Sequence, residues 1–192
     1  MRIDRVYMPV ETLGPGKRIV VWTRGCSKGC QGCANPELRN ADAGLDVAID
    51  KLVAMLVEMS ERSGITRLTL TGGDPLEQPE ELLDLLRRVR SCFTDILVYT
   101  GYTIDEAAAS IGQSGFDEIR DLADALMDGP YVEALNDGEC ALRGSTNQQL
   151  HLFNEDLRAD YDAAMTEPRR VQNVMFDGRS LSIGIHGGKD GS

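Results

Sequence analysis

The chain has 192 residues, with 20 Lys and Arg against 31 Asp and Glu, a formal net charge of −11. A chain of this length can bury a core of its own without disulfide staples, and its negative field disfavours nucleic acid and anionic membrane surfaces as partners. No apolar run is long enough to span a bilayer, and Met1-Arg2-Ile3-Asp4-Arg5 carries no signal-peptide core, so a cytoplasmic protein with reduced thiols is expected.

Residues 18–23 (Arg-Ile-Val-Val-Trp-Thr) are β-branched and apolar and predict a buried strand. Residues 47–63 place Leu52, Met55, Leu56 and Met59 at helical spacing, with Gly64 as the stop. Residues 67–71 predict a second strand, closed by Gly72-Gly73, and residues 79–89 a helix with apolar positions Leu82, Leu83, Leu85, Leu86 and Val89. A third strand over 95–100, a helix over 104–111 and a fourth strand over 123–127 follow. Strands alternating with helices predict parallel βα units with right-handed crossovers. In such sheets chemistry gathers at the carboxyl ends of the strands. Cys26, Gly72-Gly73-Asp74, Thr100-Gly101-Tyr102 and Asp128 stand at those ends. Residues 158–170 are charged and read as loop or surface helix, while 170–176 and 179–186 predict a β-hairpin turning at Asp177-Gly178. The expected division is a core over 1–155, an extension with the hairpin over 156–187, and a disordered tail over 188–192.

Cys26, Cys30 and Cys33 have the spacing C-x3-C-x2-C, with Gly25, Gly29 and Gly32 between and beside them. Three thiolates on so short a loop can converge on one soft metal centre. A structural zinc site wants four protein ligands, and neither His151, His186, Cys92 nor Cys140 lies near in sequence. Three ligands leave one coordination position open, which suits an iron–sulfur cluster with one iron free to bind something else. Cys92 and Cys140 read as small apolar residues.

The cysteine loop after one strand, and Gly-Gly-Asp after the next, resemble the radical S-adenosylmethionine (SAM) superfamily. Further blocks narrow the likeness to the small activating enzymes of glycyl-radical proteins, above all the activases of anaerobic ribonucleotide reductases. These blocks are Gly14-Pro15-Gly16-Lys17-Arg18, Asn35 after the third cysteine, Thr71-Gly72-Gly73-Asp74-Pro75-Leu76, Thr100-Gly101-Tyr102, Asp128-Gly129-Pro130-Tyr131 and Arg143-Gly144-Ser145-Thr146-Asn147-Gln148. The likeness runs over residues 6–152. It implies a partial (βα) barrel of mostly parallel strands with a short C-terminal hairpin. It also implies a [4Fe-4S] cluster on Cys26, Cys30 and Cys33, and SAM bound to the fourth iron and cleaved reductively to a 5′-deoxyadenosyl radical.

On that resemblance Asn35, Gly72, Gly73, Asp74, Thr100, Tyr102, Asp128, Arg143, Ser145 and Asn147 form the cofactor side of the site. The two glycines let the backbone approach the methionine end of SAM, and Asp74 or backbone groups take its ammonium. Thr100 and Tyr102 stand where the ribose or adenine is met, and Asp128 accepts from SAM or holds a basic side chain. Trp22 reads as core, Arg18 as the partner of an acid near the cluster, and the acids of 77–84 as a solvated helix face. The implied partners are a glycyl-radical enzyme, whose glycine gives up a hydrogen atom, and a low-potential flavodoxin or ferredoxin as electron donor; a homodimer is compatible with both. Two other functions fit the same residues. One is a radical SAM enzyme acting on a peptide or small molecule, with the hairpin helping to close the site. The other is a non-catalytic iron–sulfur or zinc-binding module.

Overall fold

The computed structural model describes residues 1–41, 46–176 and 178–185. Its central sheet comprises β1 (Ile3–Val10), β2 (Arg18–Thr23), β3 (Arg67–Gly72), β4 (Asp95–Tyr99), β5 (Ala125–Asp128) and β6 (Gln149–Leu152), in that spatial order. β2 to β5 run parallel. The crossovers are α1 (Ile49–Ser63), α2 (Pro79–Val89) and the pair α3 (Ile104–Ile111) and α4 (Gln113–Leu122). The fold is thus mixed α/β with a mostly parallel sheet, as the alternation of elements predicts. Two edge strands and one helix depart from that expectation. β1 and β6 add antiparallel to β2 and β5, and α4 follows α3 directly.

The parallel strands read as continuous apolar runs because both faces of the sheet are covered. Side chains alternate across a strand. Ile19, Val21, Leu68, Leu70, Ile96, Val98 and Leu126 pack with buried residues of α1 to α4, including Leu52, Leu56, Leu82, Leu85, Leu86 and Ile119. Val20 and Trp22 of β2 face the other way, as do Leu97, Ala125 and Met127 of β4 and β5.

This second, inner face is covered by the C-terminal part of the chain. α5 (Arg158–Thr166) lays Tyr161 and Ala164 against Leu97, Ala125 and Met127. The hairpin β7 (Val171–Phe176) and β8 (Arg179–Gly184) sets Ile183 into a cluster with Val10, Leu13, Val20, Trp22 and Leu38. The charged segment 158–170 is therefore not simply surface: Tyr161 is fully buried. The hairpin matches its predicted strands. Its turn residue Asp177, the end residue His186 and the tail 188–192 lie outside the described residues.

Arg18 departs from its expected place. It pairs with an acid, but at the amino ends of the strands, away from the cysteine loop. Its Nη1 donates to Asp95 Oδ2 at 2.6 Å and its Nε to Thr69 Oγ1 at 2.6 Å. Tyr161 donates its hydroxyl to Asp95 Oδ1 at 2.7 Å, so α5 is tied into the same buried network. An unpaired charge in this place would be prohibitive; paired and fully hydrogen-bonded, it is tolerated. Among the described residues no helix is long and apolar enough to cross a membrane.

Candidate iron–sulfur site

The carboxyl ends of β2, β3 and β4 converge on a cavity of about 210 Å³. Cys26, Cys30 and Cys33 line it together with Gly72, Gly73, Asp74, Asn35 and Thr100. The path of the cysteine loop follows from its anchors. The amides of Gly25 and Cys26 donate to the carbonyls of Leu38 and Arg39, at 2.9 and 3.0 Å. The chain is able to double back there because Pro36–Leu38 makes a 3-10 turn whose Leu38 is fully buried. The Arg39 guanidinium donates to the Cys30 carbonyl.

The far side of the loop is held by Glu77, which sequence reasoning placed on a solvated helix face. Its Oε1 accepts from the Ser27 amide at 2.8 Å, the Ser27 hydroxyl at 2.5 Å and the Tyr102 hydroxyl at 2.9 Å. Partial burial works to raise the Glu77 pKa, but the bonds from Ser27 and Tyr102 and the charge of Lys28 outweigh it and hold the carboxyl below its ordinary range. Lys28 sits 4.0 Å above the Tyr102 ring and pairs with Glu106 at 2.7 Å. Tyr102 thus braces the loop from outside the cavity lining. The signal for Glu77 was its place right after Asp74-Pro75-Leu76. Asp74 caps the 3-10 turn Pro75–Glu77 by accepting from the Leu76 amide, which swings residue 77 back toward the loop.

Gly72 and Gly73 are required by their own chain. A Cβ on Gly72 would lie 2.4 Å from the Thr23 nitrogen, and one on Gly73 2.4 Å from the Gly25 carbonyl oxygen. Backbone bonds from Gly73 to Thr23 and from Asp74 to Gly25, both 2.8 Å, close the same contact. The glycines therefore let the end of β3 press against the root of the cysteine loop.

Asp74 is 1% exposed and joins two strand ends. Oδ1 accepts from the Leu76 amide and the Thr100 hydroxyl, and Oδ2 from the Gly101 amide at 2.7 Å. Burial pushes its pKa up, against those hydrogen bonds, to about 6. Burial also pushes the Cys26 thiol up, helped by the charges of Asp74 and Glu77. A metal that takes this thiol must displace its proton.

The remaining predicted residues build the walls and do not line the cavity. Asp128 accepts from the Ile104 amide at the start of α3 and from the Gln149 amide, and stands 3.2 Å from His151 Nε2. Ser145, fully buried, accepts from the Val132 amide, and Asn147 donates to the Pro130 carbonyl at 2.8 Å. Arg143 donates weakly to the Thr146 carbonyl, at 3.4 Å. Gln148, which sequence reasoning left without a role, does line the cavity. It accepts from the Gly144 amide and donates to the Gly129 carbonyl, so it pins the 143–148 loop to the end of β5.

The donor set suits a cluster with one open position. Three free cysteines line the cavity, and among the described residues no histidine or fourth cysteine does. Among the described residues no three metal-ligating side chains converge on one point. A cubane cluster offers each thiolate a separate iron, so thiols that ring a space fit it better than they fit a single ion.

The family model that matches this chain is the 4Fe-4S single cluster domain, over residues 12–151. An anaerobic ribonucleoside-triphosphate reductase-activating protein of Salmonella typhimurium is 36% identical over 155 residues, covering 76% of this chain and 95% of that protein. The protein of the same name from Escherichia coli K12 is 35% identical over 76% of this chain and 95% of its own length. That of bacteriophage T4 is 34% identical over 78% and 93%. The family model spans the cysteine loop and every strand end around the cavity, and the chain belongs to the 4Fe-4S single cluster domain family, alongside the anaerobic ribonucleoside-triphosphate reductase-activating proteins.

Proposed function

We propose that this chain is a radical SAM activase that generates a glycyl radical on a partner reductase. The observation that carries this reading is three cysteine thiols lining one cavity, with no fourth thiol or imidazole among the described residues there, at the carboxyl edge of parallel strands and against Gly72-Gly73-Asp74. Cys26, Cys30 and Cys33 would hold a [4Fe-4S] cluster, with SAM at the open iron. When bound, these groups supply reductive cleavage of SAM and removal of a hydrogen atom from a glycine α-carbon. The chain's own work is positional. Glu77, Tyr102 and Arg39 fix the cysteine loop, and Asp74 locks the ends of β3 and β4 at a set distance. Asp74 also leaves a buried carboxylate in the cavity, able to meet the cation that SAM brings. Asn35 and Thr100 face the same space.

In this reading the sheet with α1 to α4 is a partial barrel of the radical SAM type, formed by residues 1–155, and residues 156–187 are an appended unit. A low-potential flavodoxin or ferredoxin delivers the electron. The test is electron paramagnetic resonance of the reconstituted protein mixed anaerobically with SAM, reductant and a candidate reductase. A glycyl signal on the reductase is expected; its absence, with SAM still cleaved, would move the reaction to a peptide or small-molecule donor. That second reading is favoured by one feature, the hairpin that narrows the cavity.

A further inference from the structure

The C-terminal extension has a position that the family match does not account for. The match ends at residue 151, and the Salmonella relative is covered over 95% of its length by 76% of this chain. α5 and the hairpin lie beyond that match and cover the inner face of the sheet. Ile185, the residue just after β8, lines the 210 Å³ cavity beside the cysteine loop. Ile183, Gly184 and Ile185 line an adjoining space of about 70 Å³ that shares Ala34, Asn35, Thr71 and Tyr99 with it. Together these lie near the lower end of the roughly 300–1,000 Å³ of ordinary ligand sites, so the end of the hairpin narrows the room beside the cysteine loop.

The two halves of the extension are held differently. α5 is tied into the buried Arg18–Asp95 network through Tyr161. The hairpin forms its own two-stranded sheet, and among the described residues no backbone ladder joins it to the central one. Side chains hold it instead. Thr12 donates its hydroxyl to the Ile183 carbonyl at 3.1 Å. Gln172 accepts from the Glu11 amide and donates to the Pro9 carbonyl. Ile183 is the buried anchor, while Met175 on β7 is 71% exposed. β8 and the residue after it also show what this strip of the inner face accepts: a segment with apolar side chains at alternate positions, here Leu181, Ile183 and Ile185.

We propose that β8 is a displaceable resting occupant of the donor's docking strip, and that the glycine-bearing segment of the partner reaches the cavity as an extended chain taking its place. This rests on the protein-donor reading above. The test uses the full-length apo-protein and a purified candidate reductase. Trp22, the chain's single tryptophan, is 3% exposed in the cluster that holds Ile183, so acrylamide quenching of its emission reports the cover directly. Ile183→Asp is expected to raise the quenching constant about threefold or more with helical circular dichroism kept, as for a local opening. Thr12→Val, which removes one bond to the hairpin, moves quenching the same way by less, and serves if the aspartate variant does not fold. Both variants tighten reductase binding, Ile183→Asp by about tenfold, because the competing state is depopulated. Unchanged quenching in both variants, or weaker reductase binding in either, overturns the proposal. So does a reductase that binds neither the parent nor the variants. Assay of 5′-deoxyadenosine, which needs no reductase, then shows whether the SAM chemistry itself stands.

Discussion

Asp74 illustrates how a carboxylate at a strand end serves structure and chemistry together. Three hydrogen-bond donors favour its charged form, yet its burial outweighs them and sets the pKa at about 6 against an ordinary 3.8. Between those values the folded state keeps a proton that the unfolded chain has released. Through this group the fold therefore loses stability as pH rises from about 4 to about 6, by roughly 3 kcal/mol, and loses no more above that. Glu77 works in the opposite direction: its lowered pKa stabilises the fold above the ordinary glutamate range and is lost as pH falls. The check is the unfolding free energy of the parent minus that of Asp74→Asn, measured in the apo-protein from pH 4 to 7. A difference that falls across this range is expected; a flat or rising one contradicts the assignment. The cysteines and Asp74 were legible in the sequence because short spacing and position after a strand carry them. Glu77 was not, because its role depends on a 3-10 turn that redirects one side chain.

At the scale of elements, the site depends on how closely two strand ends pack. Gly73→Ala would put a methyl group 2.4 Å from the Gly25 carbonyl oxygen, where neither backbone can yield freely. We expect a loss of about 2–4 kcal/mol in stability, of the overpacking kind, and a lower iron content after reconstitution. Gly29→Ala, whose Cβ meets nothing within 4 Å, is the control for changing a glycine in the loop itself. Its φ of +61° costs about 1–2 kcal/mol, but no clash. Equal iron loss in both variants would show that loop conformation, not strand-end contact, governs the cluster. The buried parallel strands were readable because both of their faces are covered. The edge strands were not. β1 mixes Asp4, Arg5 and Pro9 with its apolar residues, β6 is only four residues long, and α4 starts from Gly112 with no side-chain cap.

Across the whole molecule, the sheet is stitched at both ends. Asp74 joins strand ends at the cavity, and Arg18 with Asp95 joins strand beginnings at the other edge. The second link was hidden from the sequence because its partners are 77 residues apart and a charged residue ordinarily reads as surface. Arg18→Met leaves the buried Asp95 with only Arg67, 4.0 Å away, as a counter-charge and should cost about 3–5 kcal/mol in chemical unfolding, part of which returns in Arg18→Met/Asp95→Leu. A cost under about 1 kcal/mol for the single change would show that the pair contributes little. The same network anchors α5 through Tyr161, whereas the hairpin is held by side-chain bonds and by Ile183. The account as a whole turns on the cysteine ring, and anaerobic reconstitution followed by reduction and assay of 5′-deoxyadenosine from SAM tests it most directly. The parent protein should cleave SAM, and Cys30→Ala should remain folded, hold little iron and cleave none. Full iron and full cleavage in Cys30→Ala, or a parent that assembles its cluster and leaves SAM intact, would contradict it.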